Sequence, residues 1–270
     1  MSGIMDHKDE QYDIIVQGGQ SNAQGYGFGP VEGSNEYAPD DDILYMVNSS
    51  FDSIIDIASP ADNLLIEVAK ERYWDGTVIN DCEGEKVNEF SLSFAKLYQR
   101  KFLSDGRKIL ILRTAVGGTG WKDNRWGMTD DLYLNMMRMV RTALELNPGN
   151  MLKAFLWHQG ETDAGTAREI HYNNLSSMVK SVRDTFGCPG LPFIAGDFVN
   201  EWKSKNLDVC EPVIDAIRGV CSGPGGAFVE TQDLKSNNQV RGDGDEIHFS
   251  RNSLYILGCR YFEAYVSLMV

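Results

Sequence analysis

The 270-residue chain has only five cysteines, Cys82, Cys188, Cys210, Cys221 and Cys259, an odd number, widely spaced and without a CxxC pair. That spacing excludes a cysteine-based zinc site and supplies no disulfide framework. Basic residues are also scarce: 25 Lys and Arg stand against 39 Asp and Glu, a formal net charge of -14 at pH 7. A field of that sign repels polyphosphate and anionic lipid, which argues against nucleic acid or a membrane surface as partner. The acidic residues are dispersed, so they read first as a solubilising surface. No apolar run approaches the roughly 20 residues of a membrane span, and Met1 to Gln11 lacks the apolar centre of a secretory signal. As written, the chain is expected to be cytoplasmic; a trimmed signal would leave the same N-terminus and point to a secreted or periplasmic protein. There is no internal repeat, no low-complexity linker, no regular GxGxxG opening a helix and no P-loop Lys. One domain over 1–270 is expected, with 1–11 a flexible N-terminus, and neither cofactor nor metal is called for.

What the chain does contain is an alternation of short apolar runs with amphipathic segments of helical length. Tyr12 to Gln17, Ile43 to Val47, Lys108 to Thr114, Met151 to Trp157, Leu191 to Ala195 and Ala227 to Thr231 read as strands. Glu89 to Phe102, Asp130 to Leu146, Thr166 to Phe186, Val209 to Val220 and Asn252 to Leu268 read as helices. Asn63 to Tyr73 is expected to begin a helix, and Trp74 to Glu85 holds turn residues. Gln24 to Asp42 and Asn48 to Pro60 are expected to run irregularly beside the active edge, where the Gln24 to Pro60 stretch is a candidate lid. Such alternation predicts βαβ units, a parallel sheet with helices on both faces, and strand ends gathered along one edge.

Four turns carry chemistry. Gly19-Gln20-Ser21-Asn22 follows the first apolar strand and places a hydroxyl at its C-terminal edge, where open α/β sheets bind ligands. Taken alone, a serine there is more often a helix cap. Gly117 and Gly118 expose backbone N–H groups suited to a developing oxyanion. In His158-Gln159-Gly160-Glu161, the Gln159 amide is a candidate donor to the same oxyanion. Glu161 is a supporting group that holds the loop, orients Gln159 or acts as an auxiliary acid or base. Asp245 and His248, three residues apart on one turn, can project together, so that the carboxylate fixes the imidazole tautomer and the other ring nitrogen faces Ser21. Trp121, Trp126 and Trp202 fall near strand-edge loops, where aromatic faces can stack on sugar rings. Arg113 and Arg125 are cations able to meet an acidic sugar.

In order along the chain, GQSN, AVGGTGW, WHQGE and DxxH resemble the blocks of the SGNH hydrolases. Their wording is similar to carbohydrate esterase family six and to the sialate O-acetylesterase-like domain. The resemblance runs from Ile14 to Phe249, and Gln159 stands where the wider group has Asn. It implies a flavodoxin-like three-layer α/β/α sandwich with a central parallel sheet, and hydrolysis of acetyl esters on a sugar or glycan through a serine acyl-enzyme. The implied roles are Ser21, His248 and Asp245 as nucleophile, base and orienter, with Ser21, Gly118 or Gly117, and Gln159 as oxyanion donors. The partner implied is an acetylated carbohydrate, of the acetyl xylan or sialic acid type. Two rivals stand beside this reading: a non-catalytic carbohydrate-binding protein on the same fold, and a lipase- or thioesterase-like hydrolase.

Overall fold

Apolar residues two apart along a strand face the same side of a sheet, and this period sorts the core into two layers. The computed structural model describes residues 2–32, 38–48, 63–77, 79–80 and 83–270. In chain order the elements are β1 (Ser2–Gly3), β2 (Tyr12–Gly19), α1 (Ser21–Gln24), β3 (Ile43–Asn48), β4 (Leu64–Val68), β5 (Arg72–Trp74), β6 (Ile79–Asn80), β7 (Glu85–Val87), α2 (Ser91–Phe102), β8 (Lys108–Arg113), α3 (Asp131–Leu146), β9 (Met151–His158), α4 (Arg168–Thr185), β10 (Phe193–Gly196), α5 (Asn200–Lys205), α6 (Leu207–Cys221), β11 (Gly226–Val229), α7 (Asn237–Arg241) and α8 (Arg251–Leu268).

Along β2, Tyr12, Ile14 and Val16 pack with residues of α3, α4 and α6, whereas Ile15 packs with α2 and α8. The strand is therefore covered on both faces, as a central parallel strand must be. Asp13 lies within it, 2 % exposed, because Arg107 Nε at 2.7 Å and the Tyr98 hydroxyl at 2.6 Å satisfy its carboxylate. The main sheet has the order β1-β4-β3-β8-β2-β9-β10-β11. From β3 to β11 the neighbouring strands run parallel, while β4 and β1 are antiparallel at one edge. This mostly parallel sheet between two helical layers is the predicted α/β/α sandwich. The chain leaves β2 in opposite directions, with β8 and β3 on one side and β9 and β10 on the other. The carboxyl end of β2 is thus the topological switch point, where such sheets bind ligands.

Most predicted elements appear within a few residues of their expected bounds. The helix expected from Asn63 to Tyr73 does not: that segment forms β4 and enters β5. Its Leu64 and Ile66 are buried while Leu65 and Glu67 are less so, a two-residue period, and Ile66 lies opposite Met46 of β3. Strand pairing at the sheet edge overrides the local helical pattern. The turn-rich stretch Trp74 to Glu85 joins a second, three-stranded antiparallel sheet, β6-β5-β7, outside the main one. The irregular course expected from Asn48 to Pro60 lies outside the described residues, except for Asn48 at the end of β3. Among the described residues no helix is long and apolar enough to cross a membrane.

Candidate active site

Gln20 alone separates the end of β2 from Ser21, the first residue of α1. The turn is tight because Gly19 adopts φ 131° and a Cβ there would fall 2.0 Å from the His158 carbonyl oxygen. Gln20 N donates to that same oxygen at 3.0 Å, tying the turn to the end of β9. Ser21 is 8 % exposed, and its hydroxyl bonds to no described residue. It opens into a cavity of about 490 Å³ whose wall also includes Gln24, Tyr26, Gly117, Gly118, Glu161 and His248.

The structure brings His248 and Asp245 to this cavity as an oriented pair. His248 Nδ1 lies 2.9 Å from each Asp245 carboxylate oxygen, which leaves Nε2 on the opposite edge of the ring. Asp245 Oδ2 also accepts from Asn237 Nδ2 at 2.8 Å. Burial pushes the Asp245 carboxyl up, but the hydrogen bonds from His248 and Asn237 outweigh it and hold the group below the ordinary carboxylate range. Asn237 in turn donates to Tyr26 O at 2.8 Å and accepts from Phe28 N at 2.9 Å, so the loop carrying His248 is stitched to the chain leaving α1. Tyr26 lies against the imidazole, ring centroids 5.5 Å apart and planes at 28°, with Trp74 edge-on behind it at 5.8 Å.

Glu161 lines the cavity from the β9 side. Its Oε1 accepts from Asn22 Nδ2 at 2.8 Å, and its Oε2 is buried without a hydrogen-bond partner. Burial raises this carboxyl, and the Asn22 bond and nearby His248 offset only part of the effect. Across from it, Gly117 N donates to Gln24 Oε1 at 2.6 Å, whereas the Gly118 N–H meets no described acceptor. Of the two glycines named from the sequence, Gly118 alone has its amide unoccupied.

Gln159 departs from expectation. Its Nε2 donates to Thr119 O at 3.2 Å and Asp163 Oδ2 at 2.7 Å, and the side chain is 1 % exposed outside the cavity wall. Gly160 between them adopts φ 145°, and Glu161, not Gln159, lines the cavity. Gln159 instead locks two loops together through Asp163, which also accepts from Trp121 N at 3.2 Å and Lys122 N at 2.9 Å.

The three tryptophans expected at a sugar platform are also placed elsewhere. Trp126 is fully buried, donates to Thr119 Oγ1 at 3.0 Å and packs edge-on against Trp157 at 4.8 Å. Trp121 packs on Trp157 and His171, and Trp202 on Phe198. Each fills space beneath or beside the strand-edge loops, where apolar area outweighs exposure. Arg125 forks onto Asp131 and Arg113 donates to Gln24 O at 2.6 Å, so neither lines the cavity. Among the described residues no group of three or more His, Cys, Asp or Glu is placed to hold a metal ion.

Sequence reasoning passed over Gln20, Asn22, Gln24 and Tyr26. For Gln20 and Asn22 the signal was within the GQSN block itself, where three of four residues are polar immediately after a buried strand; Gln24 and Tyr26 lie beyond it and carried no such mark.

A serine at the switch point of an α/β/α sandwich of the SGNH type shares one cavity with an Asp-supported His. The chain belongs to the family described as carbohydrate esterase, sialic acid-specific acetylesterase, whose model matches residues 11–267. That is a family of esterases acting on acetyl esters. A probable carbohydrate esterase of Arabidopsis thaliana is 31 % identical over 105 residues, 38 % of this chain and 39 % of that protein's length. The match thus spans well under half of that relative. In three dimensions the crystal structure of NanS superposes with a TM-score of 0.75 at 19 % identity, covering 96 % of this chain and 98 % of that one. A solved Arabidopsis thaliana protein gives a TM-score of 0.70 at 22 % identity, covering 95 % and 98 %. A carbohydrate acetylesterase from Xanthomonas citri gives 0.61 at 17 % identity, covering 95 % of this chain and 56 % of that one.

Proposed function

We propose that this protein is a carbohydrate O-acetylesterase that cleaves acetyl esters on a sugar through an acyl-enzyme on Ser21. The observation that carries the reading is the His248 imidazole, held at Nδ1 by both oxygens of Asp245 and sharing one cavity with the unbonded Ser21 hydroxyl. His248 Nε2 takes the Oγ proton as Oγ bonds to the ester carbon and the carbonyl electron pair moves onto oxygen. Asp245 stays ionised and stabilises the imidazolium. The N–H groups of Ser21 and Gly118 hold the oxyanion. Collapse expels the sugar hydroxyl, which takes the proton from His248, and a water activated by the same ring then releases acetate. The Ser21–His248 hydrogen bond forms on substrate binding, as catalytic bonds often tighten only then.

The acetylated carbohydrate is supported by the family; the cavity wall itself is mixed, with Gln20, Gln24, Thr77 and Thr162 beside Tyr26, Ile79, Val116 and Ile247. A lipase would need an apolar trench for its chain. The test is acetate release from O-acetylated sialic acid, acetylated xylan and aryl acetates, beside a series of aryl esters of increasing acyl length. Turnover of a sugar acetate with a preference for the shortest acyl group is expected. Preference for long chains would favour the lipase, and no turnover of any ester would favour a binding protein.

A further inference from the structure

A helix of a single turn cannot hold its own direction, because too few of its hydrogen bonds are internal. The nucleophile stands on such a helix: α1 has four residues, and its last two carbonyls, Ala23 O and Gln24 O, are satisfied from outside it. Ala23 O accepts from Gln17 Nε2, and Gln24 O accepts from Arg113 Nη2 at 2.6 Å. Both supports lead back to one buried carboxylate. Gln17 Nε2 also donates to Glu89 Oε2 at 3.0 Å. Arg113 lies over the Tyr45 ring, its guanidinium carbon 4.9 Å from the centroid, and the Tyr45 hydroxyl donates to Glu89 Oε1 at 2.6 Å. We infer that Glu89 is a positioning residue for the reaction, holding α1 and with it Ser21 Oγ, a role that rests on the Ser21 acyl-enzyme reading above.

Glu89 is 2 % exposed, and Gln17 and Tyr45 are buried with it. Ser91 N also donates to Oε2, and Leu92 N donates to Oε1 at 3.1 Å. Each carboxylate oxygen thus accepts one bond from a support of α1 and one from the first turn of α2. Only a carboxylate accepts at both oxygens; a glutamine here would set its NH2 against two donors whichever way it lay. The Gln17 amide is fixed by the same logic, since the Ala23 carbonyl and the Glu89 carboxylate both require its NH2. Glu89 therefore ties the one-turn α1 to the long helix α2, which packs in the core with Ile15 of β2 and with α8. Neither Glu89, Gln17 nor Tyr45 lines the cavity. Their influence reaches the chemistry through the place of Ser21 alone, so it belongs in the rate of attack and not in substrate affinity or in the titration of His248.

The experiment compares the wild-type protein with Glu89→Gln and Gln17→Met. Gln17 Oε1 bonds to no described residue, so Gln17→Met removes the two bonds made by Nε2 and leaves Glu89 its other donors. Urea titration first sets conditions in which each protein is folded. For an aryl acetate, kcat is expected to fall about 10²-fold in Glu89→Gln, the cost of a displacement of about 1 Å. A fall of about tenfold is expected in Gln17→Met. KM and the apparent pKa of the kcat/KM profile should not move. Phosphonylation of Ser21 by ethyl p-nitrophenyl methylphosphonate should slow by the same factors. Where Glu89→Gln does not fold, Gln17→Met decides. A folded Gln17→Met protein that turns over and is phosphonylated at wild-type rates, whatever its stability, overturns the inference and leaves Ser21 as nucleophile. Failure of the phosphonate to modify Ser21 in the wild-type protein removes both.

Discussion

Asn22 grips the chain on either side of His248: its Oδ1 accepts from Phe249 N and its Nδ2 donates to Ile247 O, each at 3.0 Å. The same Nδ2 reaches Glu161 at 2.8 Å, so one side chain on α1 ties the nucleophile's helix to the base's loop and to the β9 loop. Because Asn22 neighbours Ser21, the serine-to-imidazole spacing is set by three hydrogen bonds at a 1 % exposed residue.

Asn22→Leu should therefore loosen the His248 loop relative to Ser21. A misplacement of about 1 Å costs on the order of 10²-fold in rate, and each orphaned buried partner adds about 1–3 kcal/mol of destabilisation. Acetate release and urea unfolding, measured on the same preparation, check both parts.

Asp245→Asn keeps the size of the side chain but removes the charge that orients and stabilises the imidazolium. A fall of about 10⁴ in kcat is expected, as in other serine triads. The same substitution removes the stabilising effect of the depressed Asp245 carboxyl, which is present above the unfolded carboxyl pKa and lost as pH falls through the folded value. Stability at pH 7 should drop, and the gap between variant and wild type should close under acid.

His158 and His171, both buried, have pKa values lowered to about 3 and about 4 by loss of solvation. Neutral rings are thus favoured in the fold. Their contribution to stability is complete above the unfolded value near 6.5 and is lost as pH falls toward 4 and 3. Each should steepen the fall of unfolding free energy below pH 6.5 by up to about 1.4 kcal/mol per pH unit. His171→Leu should give a shallower slope in urea titrations between pH 6.5 and 4; an unchanged slope contradicts this.

Trp126→Ala should act on stability, with a loss of about 3–5 kcal/mol, because the ring is fully buried against Trp157. Tyr26→Leu should act on catalysis, since that ring lies on His248 in the cavity wall. Unfolding midpoints and kcat for an aryl acetate separate the two.

The contrast between Trp126 and Tyr26 marks what the sequence made legible. Strands such as β2 and β8 stand out because burial on both faces demands continuous apolar runs, and the DxxH turn stands out because three-residue spacing is local. Side-chain direction within a turn is not local. Gln159 and Glu161 are two residues apart, and the positive φ of Gly160 between them, with the bonds of Gln159 to Thr119 and Asp163, accompanies Glu161 alone lining the cavity. The strand β4 was hidden for a similar reason, since its pairing with β3 is a tertiary fact. Aromatic residues near a strand edge carry no mark that separates a core wedge from a sugar platform.

Ser21→Ala tests the central claim most directly, with acetate release from an aryl acetate followed beside circular dichroism. The account predicts an unchanged fold and a loss of activity on the order of 10⁴-fold or more. A folded Ser21→Ala protein that still releases acetate at the wild-type rate would contradict it.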